Sequence, residues 1–220
     1  GWRRDEGTAL NGLAAVADQL ADVADAIDHW EHCLAIAREL DDPELAIPVS
    51  TNLGVARLRT GDLRGALAAS DESIELAERI NAPTLVAAGL VNRVEVLLAL
   101  RETERARADL ERLDALLDPN DRRTRAVLHT RRGVLAEHEG RLRDALGDLA
   151  AGLALALETG CAPEAAEIVE YAIRVADELD DLELAALLGA AAGRIRLETG
   201  SAPATPIADD LARVAGRVGA

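Results

Sequence analysis

The chain repeats itself at about 40 residues, and this period constrains its fold more than any other feature. One copy reads Asn52-Leu53-Gly54-Val55-Ala56, Gly61-Asp62-Leu63, Ala66-Leu67, Ser73-Ile74-Glu75-Leu76-Ala77 and Asn81-Ala82-Pro83. Forty residues earlier stand Leu13, Val16, Asp22, Val23, Ala26, Ile27, Leu34, Ile36, Ala37 and Pro43, and forty later stand Asn92, Val96, Ala106, Leu113 and Leu116. A fourth copy carries Gly133, Leu135, Gly140, Leu142, Ala145, Leu146, Gly152, Leu153, Leu155 and Pro163. A fifth carries Ile173, Asp180, Leu182, Ala185, Gly189 and Ala192. Units of this length bury their apolar faces only by stacking on neighbours, so the period predicts a solenoid.

Within each copy the apolar residues recur at i, i+3, i+4 and i+7, the helical period. The spacing predicts helices near 5–20, 23–40, 43–60, 63–80, 84–100, 103–117, 122–139, 142–159, 163–179 and 182–198. A last helix near 206–219 follows the Gly200-Ser201-Ala202-Pro203 break. Pro43, Pro83 and Pro163 suit a first helical turn, where the missing N–H costs nothing. Gly61 and Gly140 sit at the usual left-handed cap, and Asp62 and Asp180 are placed to cap the helices that follow. Gly54, Ala66, Gly133, Ala145 and Ala185 are small enough to let helices approach closely.

Composition agrees. Of 220 residues 45 are Ala and 35 Leu, both strong helix formers, and only Trp2, Trp30 and Tyr171 are aromatic. Such a chain fills its core with small aliphatic groups in thin helical layers. It contains no Lys, which removes P-loop nucleotide binding and Schiff-base chemistry. A formal net charge of −16 argues against nucleic-acid binding, and no apolar run approaches a bilayer span. Two cysteines, Cys33 and Cys161, are too few for a disulfide framework and stand three repeats apart, so both are expected as free thiols. The start at Gly1-Trp2-Arg3-Arg4 leads us to expect a piece of a larger protein. Arg-only, Ala-rich usage points to a high-GC bacterial source and a reducing cytoplasm.

The run Leu53-Gly54, Gly61, Ala66, then an apolar pair and a Pro resembles the tetratricopeptide repeat, with Trp30 at its large second-helix position. Ser70, Leu110, Leu149 and Gly189 stand where that motif has an aromatic. The 40-residue form is similar to the sensor region of large LuxR-type ATP-binding bacterial regulators, the MalT-like kind. The closing stretch Glu183-Leu184-Ala185-Ala186-Leu187-Leu188-Gly189-Ala190-Ala191, with Arg194, Glu198-Thr199-Gly200 and Ala202-Pro203, carries that similarity. The resemblance implies an all-α, right-handed superhelix: one solenoid over 1–220, with repeats at about 5–40, 43–80, 84–117, 122–159 and 163–198 and a capping helix at 206–219. It also implies that the first helix of each pair lines a concave groove. By register that groove takes Asn11, Asn52, Asn92, Arg131 and Tyr171, flanked by Arg59, Glu95, His138 and Arg174. An amide can donate to and accept from a peptide backbone, so Asn52 and Asn92 are candidate peptide contacts. The other reading is that these side chains bridge neighbouring helices.

Other constellations carry less chemistry. His29, His32 and Cys33 are possible zinc ligands without a fourth partner, and Cys33 falls on a packing position. His129 and His138 lack a zincin register beside Glu137 and Glu139. We expect no metal, no cofactor and no catalytic residue. Residues 1–50 hold 11 acids against 3 Arg, residues 144–220 hold 14 against 5, and residues 101–143 hold 9 against 11. Arg122, Arg123, Arg125, Arg131 and Arg132 crowd one helix, either as an anion contact or, for the first two, paired with Asp118 and Asp121. An anionic ligand group would end near Arg131. The expected function is a non-catalytic sensor or interaction arm of a larger bacterial regulator. It would bind a peptide, a partner protein or a small effector in the groove, and neither nucleic acid nor membrane. The alternative is a self-association scaffold, possibly a homodimer without ligand; an enzyme is the third reading.

Overall fold

The computed structural model describes residues 2–199 and 216–217. Among the described residues there are ten helices longer than one turn and no strand. They are α1 (Trp2–Gln19), α2 (Val23–Glu39), α3 (Pro43–Thr60), α4 (Leu63–Arg79), α5 (Pro83–Ala99), α6 (Thr103–Leu116), α7 (Arg122–His138), α8 (Leu142–Glu158), α9 (Ala162–Glu178) and α10 (Leu182–Thr199). Each expected helix is present within three residues of its expected ends. The expected capping helix lies outside the described residues except for Gly216 and Arg217.

The links explain the even spacing. Ala21, Asp41, Gly61, Asn81, Arg101, Gly140, Gly160 and Asp180 all have φ between 47° and 83°. A left-handed residue turns the chain, and the residue after it precedes the next helix. Where that next residue is Asp it caps: Asp22, Asp42 and Asp62 accept the backbone N–H three positions on, at 3.3, 3.2 and 2.9 Å. Asp180 was expected to cap α10. It is the left-handed residue instead, and Asp181 caps by accepting Leu184 N–H at 3.0 Å. A two-residue link has both jobs to fill, and the first position takes the turn. Non-glycine residues fill five of the eight left-handed positions, at roughly 1–2 kcal/mol each.

The chain divides into two compact units, Gly1–Leu116 and Leu117–Ala220. In the first, α1 to α6 form three antiparallel hairpins, each helix packed on the next, and the first helices α1, α3 and α5 also touch in sequence. In the second, α7 packs on α8, α8 on α9, α9 on α10, and α7 touches α9. This is helical-hairpin solenoid packing in each unit. The link 117–121 differs from the others: it has no left-handed residue, and Asp121 caps α7 by accepting Thr124 N–H at 3.0 Å.

Small residues set the helix spacing. Gly54 on α3 faces Ala66 and Ser70 on α4, and Gly133 on α7 faces Ala145 and Leu149 on α8, so the same crossing recurs 79 residues later. Trp30 is buried in a cluster with Ala14, Ala26, Cys33, Leu34 and Ala37. Ser70, Leu110 and Leu149 are buried at its equivalent in later repeats.

Candidate functional site

The recurring crossing fixes which positions are equivalent. Ala14, Gly54, Val94 and Gly133 each face the partner helix of their own hairpin, and all four are buried. Two residues before them stand Gly12, Asn52, Asn92 and Arg131, and Tyr171 continues the row on α9. Asn11, expected in this row, is one position out of it. It shares the register of Thr51, and both bond to the second helix of their own hairpin. Asn11 Oδ1 accepts the indole N–H of Trp30 at 3.1 Å, and Thr51 Oγ1 lies 2.9 Å from Ser73 Oγ. The need to satisfy a buried indole N–H accounts for Asn11.

Within the first unit, Asn52 and Asn92 are half-buried at equivalent positions on α3 and α5, which touch. Among the described residues neither side chain makes a hydrogen bond, so both amides keep their full capacity of two donors and an accepting oxygen. Arg59 pairs with Asp18 of α1. Glu95 is half-buried on α5, Val55 is exposed on α3 and Val91 is half-buried on α5.

Within the second unit the same face is spent on ion pairs. Arg131 is 9% exposed, and its Nη1 donates to Glu167 Oε1 at 3.4 Å. This residue, expected to meet an anionic ligand, is buried beside a carboxylate from α9. Arg174 donates through Nε and Nη2 to both oxygens of Glu137, and its guanidinium lies 5.1 Å over the Tyr171 ring. His138 is half-buried at the end of α7. Glu170, 1% exposed, pairs with Arg196 of α10. Arg122 and Arg123 do not pair with Asp118 and Asp121: they reach Glu158 and Glu164, one hairpin's length along the chain. Asp121 is occupied as a helix cap, and the Glu164 carboxylate raises the Arg123 guanidinium above its ordinary value.

Several strong contacts have no simple sequence signal. Arg93 on α5 forks onto Asp109 of α6 at 2.7 Å through two nitrogens and reaches Asp71 of α4 at 2.8 Å. Those two carboxylates push its guanidinium far above the ordinary range. The separation of about one repeat that joins Arg38 to Glu72, Arg79 to Asp41 and Arg174 to Glu137 is the one clue a sequence offers. A cleft of about 460 Å³ lined by Ala37, Arg38, Asp41, Glu72 and Arg79 carries two such pairs, Arg38 with Glu72 and Arg79 with Asp41.

The metal candidates do not assemble. Cys33 Sγ donates to Gly7 O at 3.0 Å, and burial pushes its thiol up, favouring the neutral form over a metal-binding thiolate. His29 lies 3.5 Å from Asp25, and His129 Nδ1 lies 3.0 Å from Asp148. Among the described residues no group of three His, Cys, Asp or Glu could hold a metal ion. Cys33 and Cys161 are both free thiols. Among the described residues no helix is long and apolar enough to cross a membrane.

Antiparallel helical hairpins stacked in sequence within each unit define a helical-repeat solenoid. The tetratricopeptide repeat family model matches residues 5–79, the first two of these hairpins. No curated protein sequence matches the chain. Among solved structures it is similar to BtubC from P. vanneervenii, at 19% identity and TM-score 0.69, covering 90% of this chain and 82% of that one. It is also similar to a Rap protein complexed with Competence and Sporulation Factor, at 13% identity and TM-score 0.75. There the match covers 88% of this chain and 54% of the other. A thermophilic TPR protein of Thermus thermophilus matches at 19% identity and TM-score 0.62, over 96% and 97% of the two chains. The fold is that of a tetratricopeptide-like solenoid. The similarity to LuxR-type regulators finds no counterpart among these proteins.

Proposed function

We propose that this chain is a non-catalytic binding module that holds an extended peptide or protein segment against the first-helix face of its hairpins. Asn52 and Asn92 act as the central contacts. The observation that carries the reading is their unspent hydrogen-bonding capacity at equivalent positions of adjacent repeats. Two such amides, one repeat apart, can each donate to a carbonyl and accept an N–H of an extended backbone, so affinity would depend little on side-chain sequence. Val55 and Val91 would take small apolar side chains between them. Asn11, Arg59 and Glu95 would border the site in the first unit, and Arg131, His138, Tyr171 and Arg174 would supply contacts on the equivalent face of the second. The five hairpins would serve as one module. A Rap protein of similar fold is complexed with Competence and Sporulation Factor, which supports a binding role for such a solenoid. The similarity of residues 183–203 to the closing repeat of LuxR-type regulators supports a place as the sensor arm of a cytoplasmic bacterial regulator.

The test is selection of binders from a random displayed-peptide library on the intact chain, followed by calorimetry of the selected peptides. Asn52→Ala with Asn92→Ala should weaken them at least about tenfold, the loss of four hydrogen bonds, while the melting temperature holds. Selected peptides that bind the double variant equally well would place the site elsewhere; no selected peptide at all would remove the reading.

A further inference from the structure

The second helix of each hairpin turns one row of side chains outward, at positions spaced 3, 4 and 3 residues apart. On α2 the row is Asp28, Glu31, Ala35 and Arg38, and on α4 it is Ala68, Asp71, Glu75 and Glu78. Charge at three of the four positions suits this face to water. On α8 the same positions hold Gly147, Ala150, Ala154 and Leu157, all exposed, Leu157 to 60%. No residue from Leu149 to Leu157 has a polar side chain. On α10 the first and last positions hold Leu187 and Leu197, 65 and 87% exposed. A contiguous exposed apolar face marks a contact surface, the more so in a chain of net charge −16. The row is exposed or half-buried on every second helix, and α8 already has α7 and α9 packed on its other sides. Its exposure therefore belongs to the outer face itself and not to an open end of the solenoid.

The charges at the two ends of the α8 row say what covers it. Arg143 lies four residues before Gly147, is exposed and is outside any ion pair among the described residues. Glu158 lies four residues after Ala154, and it gives only Oε2 to Arg122, which leaves Oε1 open. Arg143, Gly147 and Ala150 thus mirror Glu158, Ala154 and Ala151 about the middle of the helix. An antiparallel copy of the same helix meets small residues with small residues and each charge with its opposite; a parallel copy would set like charges together. Glycine and alanine at the contact let two helix axes come to about 8 Å, the close end of the usual range. Such a face is complementary to itself, the condition for a two-fold contact.

We propose that the outer face of α8 is an interaction surface for a second copy of this chain, with the two α8 helices antiparallel about a two-fold axis between Ala150 and Ala151. Gly147 of each copy meets Ala154 of the other, Arg143 of each meets Glu158 of the other, and Leu157 covers the flank. The contact lies on second helices and does not depend on the groove reading.

The test is sedimentation equilibrium of the intact chain, with circular dichroism to check that each variant keeps its helix content. The native chain should show a monomer–dimer equilibrium. Ala150→Glu sets two carboxylates beside the axis and should weaken the dimer at least about tenfold. Arg143→Glu opposes a glutamate to Glu158 at both ends and should weaken it about tenfold as well. Ala150→Cys should give a disulfide-linked dimer on mild oxidation, since its two copies would lie within the roughly 7 Å between Cα atoms that a disulfide spans. Ala68→Cys, exposed on the outer row of α4, should give none beyond the native background. The proposal is overturned if the native chain is monomeric up to about 1 mM, if its dimer withstands Ala150→Glu or Arg143→Glu, or if the two cysteine variants cross-link equally.

Discussion

The two units use one register position in opposite ways. On α3 and α5 it holds Asn52 and Asn92, half-buried amides that bond to nothing among the described residues. On α7 it holds Arg131, buried and tied to Glu167, and the face beyond is closed by Arg174 on Glu137 and Arg196 on Glu170. A polar residue on a first helix can bind a ligand or bridge to the next repeat, and a charge in this half-buried setting is driven to bridge. An unpaired buried ion is costly, whereas an amide at the same place loses far less by waiting for a partner. Residue type, through the partners that a charge must find and an amide need not, thus distinguishes the positions of the first unit from their equivalents in the second.

The largest expected effect tests the committed segment. Arg174→Leu leaves Glu137 buried and unpaired and should destabilise the second unit by about 3–5 kcal/mol in urea unfolding. Asn52→Ala, at the row position of the first unit, should change stability by less than about 0.5 kcal/mol. Similar losses for the two variants would erase the distinction.

A smaller difference is expected at the shared helix crossing. A Cβ at Gly133 would lie 2.7 Å from Leu149 Cγ and 3.2 Å from Ala145 O, while one at Gly54 would lie 3.3 Å from Ser70 Oγ. Gly133→Ala should cost about 1–3 kcal/mol through overpacking. Gly54→Ala should cost less than about 1 kcal/mol, because a gain of similar size in helix propensity offsets a shift of a few tenths of an ångström by Ser70, which stays bonded to Ala66 O. Equal melting temperatures for these variants would mean that the two crossings do not differ in tightness.

The smallest effect separates the caps. Asp42 is held below its ordinary value of 3.8 chiefly by the Arg4 side chain, and Asp121 chiefly by the Thr124 backbone N–H. Both carboxylates are depressed on folding, so each contributes stability above pH 3.8 that is lost as pH falls through its lower folded value. Acid titration by carbon-detected NMR should find both midpoints below the ordinary value. Molar salt should move the Asp42 midpoint up and leave Asp121 nearly in place, since screening acts on the exposed ion pair more than on a backbone bond. A salt response at Asp121 as large as at Asp42 would contradict the assigned causes.

Much of this was legible in residue order. Helix ends, the turn at Gly61, the capping Asp62 and the burial of Cys33 and Gly54 all follow from local rules: period, cap chemistry and side-chain size. The left-handed turns at Ala21 and Arg101 were not legible, because nothing local favours that conformation for Ala or Arg; the packing of consecutive helices imposes it. The partners of Arg93, Arg122, Arg123 and Arg131 were not legible either. A sequence shows charges and their neighbours, while a solenoid brings together residues about 16 to 41 positions apart. Sequence by itself determined the period, the helices and the row on which Asn52 and Asn92 stand. Tertiary structure alone decided which members of that row are free to bind, because satisfying a buried charge or an indole N–H depends on atoms one helix or one repeat away.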